Sequence, residues 1–414
     1  MKGFLRFFAY VIMILLLLAA CNRNQINETA VSQEKIKLEF FTPKTETEEI
    51  FNELIEDFEE QNPAIDVTQV IVPEGMRVLK TRIARGDTPD IFITYPIEQD
   101  YVIRAEKGYL LDLTDELFLN NILANIQTRY EVDDKMYGVA LTQNAVGVLY
   151  NKDHFQELNL TIPDTWDEFV DVMKTLKDAG KTPVLMPNKE ANQTSIFNLN
   201  LVANAFDSHY WEQEDLSIKE DPIWRDISEK MLTVLSYTQP NSFEDDYYEV
   251  NRKFAHGEGS MYIMGTWSLP WIEKNNPNLN YGIFPFPATS QSEKNHVLGG
   301  VDIGLAISAD TDYPVEAKKF VEFLTQKENA QKLSDFEGSL STVKGVQINR
   351  EELKLLNARI KEGKTVNWPN HYWAGGTAAE ADFRRYTLQF YFDKNIDAYL
   401  NNLEQMFNQF YDAN

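Results

Sequence analysis

Strand-like and helix-like hydrophobic periods alternate from Ile36 to Ile93, and this alternation restricts the fold more than any other feature of the chain. Ile36, Leu38 and Phe40 alternate with Lys37 and Glu39, and the pattern breaks at Thr42 and Pro43, as a strand running into a loop does. Ile50, Phe51, Leu54, Ile55 and Phe58 follow at helical spacing, and Asn62 with Pro63 ends that helix. Residues 65–72 read as a second strand and 76–85 as a second helix. Gly86, Asp87, Thr88 and Pro89 then turn into the apolar run Ile91, Phe92, Ile93. Strand, helix, strand, helix, strand specifies a parallel sheet with helices on its faces. Such sheets bind ligands beyond the carboxyl ends of their strands, so the loops 42–46 and 94–98 share one rim.

Further along, residues 137–150 form an extended stretch with only glycine interruptions and no turn dipeptide, the pattern of one strand passing between lobes. Pro163 and Thr165 open a helix in which Thr165 and Glu168 are spaced as a capping box, with Gly180 at the far end. Strands are expected at 261–264, 281–286 and 301–307, with a polar loop at 290–295. Gly299 and Gly300 read as a hinge or turn ahead of the last strand. The tail is mostly helical, with amphipathic stretches at 314–324, 351–360 and 396–410.

The N-terminus carries Lys2 and Arg6, an apolar run at 7–18, then Ala19, Ala20 and Cys21. A basic head, a short apolar stretch and small residues before a cut describe a signal peptide over 1–20. Cys21 is the only cysteine, so the chain has no disulfide framework and no cysteine-based zinc site. The pattern resembles a bacterial lipobox, which implies a lipid on Cys21 and cleavage before it. Residues 21–35 are too polar to offset their chain entropy and read as a flexible tether. The body after them exceeds what one core usually holds, which predicts two lobes. The formal charge of −25 excludes a nucleic-acid binder, because such binding depends on basic surface. It also disfavours a peripheral grip on anionic lipid, leaving the lipid chain as the membrane anchor.

No phosphate-binding loop, zinc-protease helix, EF-hand loop or nucleophile elbow is present. His154, His209, His256, His296 and His371 are scattered without metal-ligand spacing, so neither a catalytic residue nor a metal site is assigned. The aromatic residues in loops carry more information. A sugar presents one apolar face of C–H groups and a rim of hydroxyls, so its binder needs flat rings beside fixed polar groups. Trp267 follows Gly265 at a strand end, Tyr95 follows the strand at 91–93, and Tyr372 with Trp373 sits among Pro369, Asn370, Gly375 and Gly376. Trp166, Trp211, Trp224, Trp271 and Trp368 read as packing residues instead.

The segments Gly86 to Phe92, Tyr137 to Tyr150, Pro163 to Phe169, Ser260 to Trp267 and Gly299 to Gly304 together resemble family 1 extracellular solute-binding proteins. Within that family they look most like the raffinose and multiple-sugar binding lipoproteins of ABC importers. The resemblance implies a two-lobed, periplasmic-binding-protein-like α/β fold, each lobe a mostly parallel sheet flanked by helices. Lobe 1 is expected at 36–141 with 296–343, and lobe 2 at 146–290 with 344–414, the helical tail included. The hinge is expected near 142–145, 291–295 and 343–345. The resemblance further implies a non-enzymatic receptor, acting as a monomer outside the cytoplasm, that takes an oligosaccharide and delivers it to the permease subunits. Its implied sugar-binding residues are Trp267, Asp302, Asn144, Tyr95, Trp373, Tyr372, Glu46, Lys44 and Glu98, with no cofactor. Asp90 is assigned to structure. A secreted glycoside-active enzyme and a receptor for a non-sugar solute are the alternatives.

Overall fold

The computed structural model describes residues 35–73, 75–96, 98–213, 216–348 and 350–412. The leader, Cys21 and all of the tether except Lys35 lie outside these residues. Strands β1 (Ile36–Thr42), β2 (Ile65–Ile71) and β3 (Ile91–Ile93) pair in parallel with β1 in the centre. Helices Glu48–Gln61 and Gly75–Ala84 connect them, as the hydrophobic periods require. The first of these buries Ile50, Phe51, Leu54, Ile55 and Phe58, with the Phe58 ring edge-on to Phe320 and Phe323. Asp90, at the turn into β3, accepts hydrogen bonds from the Glu39 amide (2.8 Å) and the Thr311 hydroxyl (2.5 Å), which staples this edge of the sheet.

The long stretch is one strand, β4 (Val139–Asn151). Its first half pairs antiparallel with a late strand, and its second half lies between β5 (Met261–Gly265) and β6 (Tyr281–Pro285), antiparallel to both. That late strand, β7 (Val297–Ile307), also pairs antiparallel with β3. Around the second half of β4 the sheet is mixed: Val184–Leu185 runs parallel to β5, and Thr365–Val366 parallel to β7.

Two separate hydrophobic cores result. One contains β1, β2, β3, Val139 to Leu141, Val301 to Ile307 and the helix Pro314–Leu324. The other contains Ala145 to Leu149, β5, β6, Val297, Leu298 and the helices of the middle and tail of the chain. β4 and β7 are therefore shared, and β7 changes core at Gly299 and Gly300. This corrects two expectations. The glycine pair lies inside the strand, which begins four residues before the expected 301, and the passage is not at 291–295. That segment is tied to the second core's side by Asn295, which accepts from the Thr289 amide (2.8 Å) and donates to the Asp164 carbonyl (2.9 Å). Glycine is needed at 299 because a Cβ there would lie 2.4 Å from the backbone oxygen of Asn144. A third passage follows Val343, the last residue of the first core, before Leu353 enters the second.

The capping box forms as its spacing demands. Thr165 Oγ1 accepts from the Glu168 amide (3.4 Å), and Glu168 Oε2 accepts from the Thr165 amide (3.1 Å). Among the described residues no helix is long and apolar enough to cross a membrane.

Candidate functional site

The loop after β1 is short and internally fastened. The Lys44 amide donates to Thr42 Oγ1 (3.0 Å), and the Thr47 hydroxyl donates to the Lys44 carbonyl (3.2 Å). This holds the Lys44 ammonium inward, where it meets three carboxyl groups: Asp302 at 2.6 Å, Glu46 at 3.1 Å and Glu337 at 3.2 Å. Burial alone would push the ammonium toward neutrality, but Asp302, Glu46 and Glu337 outweigh it and hold its pKa well above the ordinary value.

Asp302 reaches this cluster because β7 is irregular there. Val301 pairs with Gln143 and Ile303 with Thr142, leaving Asp302 as the extra residue of a bulge. Its second oxygen accepts from Asn144 Nδ2 (3.0 Å). Asn144 Oδ1 accepts from the Gly300 amide (3.1 Å) and from Trp368 Nε1 (3.2 Å). Asp302 is held ionised: burial raises its pKa, but Lys44 and the hydrogen bonds from Glu337, Lys44 and Asn144 bring it below the usual range. Glu337, the last residue of helix Lys327–Glu337, is fully buried, and burial with the neighbouring Asp302 charge drives its pKa up against the pull of Lys44. It therefore carries the proton that the pair shares.

Trp267 closes the apolar side. It sits in the 3-10 turn Thr266–Ser268 after β5, half-buried, with its ring folded over Gly265. A Cβ on Gly265 would stand 1.9 Å from that ring, so the glycine is what lets the indole lie there. The ring faces Trp368 at 6.1 Å between centroids, and Trp368 leads back to Asn144. Tyr95 is half-buried beside Lys44, Asp302, Glu46 and Glu98, and desolvation pushes its hydroxyl up, so it is a neutral hydrogen-bonding group.

The structure thus joins Lys44, Glu46, Asn144, Tyr95, Asp302 and Trp267 at the junction of the two cores. Glu98 lies farther along the junction, its Oε1 3.8 Å from His371 Nε2. Burial, then the nearby Glu380, pushes the Glu98 carboxyl up to about 8, and burial lowers His371 to about 4, so both are neutral at pH 7. Tyr372 stands apart: its hydroxyl accepts from Asn367 (2.8 Å), and its ring lines a cavity of about 250 Å³ with Phe206, Trp211 and Pro369. Trp373 is a correction. It is 1% exposed and packs among Trp211, Phe383 and Phe407, so it cannot present a face to a ligand. Its neighbour Trp368, read as packing, is buried in the second core, with its ring beside Trp267. Glu337 was missed, because nothing near it in sequence marks a carboxyl that folds back onto the loop after β1.

Contacts also cross directly between the elements of the two cores. The Thr45 and Tyr248 hydroxyls are 3.0 Å apart, and Arg129 donates to Asn367 Oδ1 (2.9 Å). The sequence pattern of bacterial extracellular solute-binding proteins matches residues 43–331, most of the chain. The chain belongs to that family. The multiple sugar-binding protein of Streptococcus mutans serotype c is 32% identical to this solute-binding protein over 402 residues, 95% of this chain and 94% of that one. Two solved structures of RafE are each 31% identical and cover 91% of this chain. RafE in complex with raffinose, all of which is matched, superposes with a TM-score of 0.84. The apo form from Streptococcus pneumoniae, 98% of which is matched, superposes at 0.76. At the same identity and the same coverage of this chain, the superposition is tighter on the raffinose complex than on the apo form.

Proposed function

We propose that this protein is the receptor of an ABC importer, capturing a neutral oligosaccharide between two lobes and delivering it to the permease subunits. The observation that carries the reading is the pairing of a half-buried Trp267 ring with the polar cluster around Lys44, Asn144 and Asp302, at the junction of the two cores. An aromatic face beside fixed hydrogen-bonding groups matches the two surfaces of a sugar ring. The cluster sets one ammonium among three carboxyl groups, with Asp302 held ionised, which leaves no excess positive charge to attract an anionic ligand. The sugars in the names of the relatives support the same class.

The lobes are the two core-bearing bodies, hinged where β4 and β7 change core and after Val343. A ligand touching both lobes only in the closed form shifts the population toward closure. Lipidation at Cys21 would hold this monomeric receptor on the outer face of the membrane, beside the transporter it serves. The protein acts by binding alone.

Titration calorimetry with raffinose and longer neutral oligosaccharides tests the reading. Trp267→Ala should weaken binding more than tenfold, with the melting temperature of the ligand-free protein little changed. Unaltered affinity in the variant, or release of shorter sugars during incubation, would overturn it.

A further inference from the structure

The helix Gly376–Asp393 belongs to the second core, through Ala379, Phe383, Phe390 and Tyr391. Its own chain provides no cap. The residue before it is Gly375, and no side chain from the preceding segment accepts from its first amides. A helix N-terminus leaves its first amides without intrahelical partners and favours a negative charge nearby. Here the missing acceptor comes from the other body. Asp100, in helix Gln99–Glu106, belongs to the first core's side, where its neighbours Tyr101 and Ala105 are buried. Asp100 Oδ2 accepts from the Thr377 amide (3.1 Å) and hydroxyl (2.7 Å), and Gln99 Oε1 accepts from the Gly375 amide (2.8 Å). Lys80, on the first core's side, holds the other Asp100 oxygen at 2.7 Å, so the carboxylate is aimed before the two bodies meet.

Gly375 and Gly376 both have positive φ (87° and 52°), a conformation that a residue with a side chain rarely adopts. A Cβ on Gly376 would lie 3.1 Å from Asp100 Oδ2, so the second glycine also clears the approach.

We infer that Asp100 is a closure residue: it caps, from the first lobe, a helix of the second lobe that has no cap of its own. The contact forms only when the lobes come together, and it slows release of the captured solute without touching it. Closure is thereby favoured by a hydrogen-bonded latch at one end of the cleft, independent of the sugar's identity. The inference rests on the two-lobe receptor reading. It also explains why a cap-free, doubly glycine helix start faces an acidic residue more than 270 positions earlier in the chain.

Stopped-flow binding and small-angle scattering on the whole protein test it, with Asp100→Ala, Thr377→Val and the double variant. Loss of an N-cap is worth about 1 kcal/mol, so dissociation of raffinose should quicken about fivefold in Asp100→Ala, with the association rate unchanged. The two single changes should combine to less than their sum, because they remove one contact. Ligand-free Asp100→Ala should show a larger radius of gyration than the ligand-free parent. Unchanged dissociation and unchanged dimensions would overturn the latch. So would a melting-temperature loss that is equal with and without ligand and comes without faster release, since a cap made inside one lobe behaves that way. The scattering comparison needs no ligand, so the latch can fail while the sugar reading stands. A parent protein that bound no sugar would sink that reading and leave the scattering result to decide the latch.

Discussion

The residues of the site divide into those whose chemistry shows in the sequence and those that only a distant contact reveals. Trp267 belongs to the first kind: a tryptophan directly after a strand, two residues beyond a glycine, has few core positions open to it. Gly265 explains its pose, and Gly265→Ala should displace the indole and raise the sugar dissociation constant about tenfold, without contacting sugar itself. Calorimetry on that variant checks this, and an unchanged constant would mean the ring has another way to lie flat. Trp368 and Trp373 belong to the second kind. They sit five residues apart in one loop of similar composition, and their fates separate only because Phe383 and Phe407 close over Trp373 while Asn144 takes the Trp368 N–H.

Glu98 and His371 set a pH window for the fold. The buried Glu98 carboxyl keeps its proton up to about 8, whereas the unfolded chain releases it near 4.5, so the folded form binds the extra proton between those values. Stability from this group is fully present below pH 4.5 and is lost as pH rises toward 8. His371 works in the other direction: folded at about 4 against 6.5 unfolded, it costs stability as pH falls from 6.5 toward 4. Above pH 6.5 Glu98 acts together with Glu337, whose buried carboxyl is likewise pushed up to about 8. Stability from urea unfolding should therefore decline from pH 6.5 to 8, by at most about 1.4 kcal/mol per pH unit for each of the two carboxyls, and Glu98→Gln should make that decline shallower. An equal slope in the variant would place the titrating group elsewhere.

At the scale of elements, the sequence was most legible where one period and one set of end signals agree. The helix Trp166–Asp178 shows this: an apolar stripe, a Thr165 cap, Glu168 three residues on, and a positive-φ Gly180 beyond its end. Thr165→Ala should lower global stability by about 1 kcal/mol in chemical denaturation and leave sugar affinity untouched, since the box is exposed and remote from Trp267. A change in affinity would tie this helix to the cleft in a way its contacts do not suggest. The first three strands and the helices between them were legible for the same reason. β7 was not. Its start was hidden by Gly299 and Gly300, which look like a turn in sequence but make room for the Asn144 backbone and the Trp368 ring, respectively. The bulge that turns Asp302 into the site leaves no trace in the hydrophobic pattern, because it depends on how β4 and β7 pair. Helix Lys327–Glu337 could be sensed as helical, but not the end from which Glu337 reaches the loop after β1.

At the scale of the whole molecule, two cores were legible from length, and their sharing of β4 and β7 was not. One continuous sheet results, running through both bodies. A hinge made of strands that persist into both cores permits rotation of one body against the other while fixing which faces meet. That suits a receptor whose two halves must return to one closed arrangement, in which Thr45 finds Tyr248 and Asp100 finds Thr377.

The same interleaving governs when the chain can fold at all. The first core opens at Leu38 and is not complete until Val343, and the second opens at Ala145 and waits for Phe407. Neither is a contiguous stretch that could collapse early during synthesis. A fragment of residues 35–290, which lacks β7 and the tail helices, should show no cooperative thermal transition in calorimetry; a sharp one would show that half the structure stands alone. For a polypeptide handed through a membrane as an extended thread, late closure is an advantage. The chain remains threadable until nearly all of it has emerged, and the two bodies then fold together on the side where they are used.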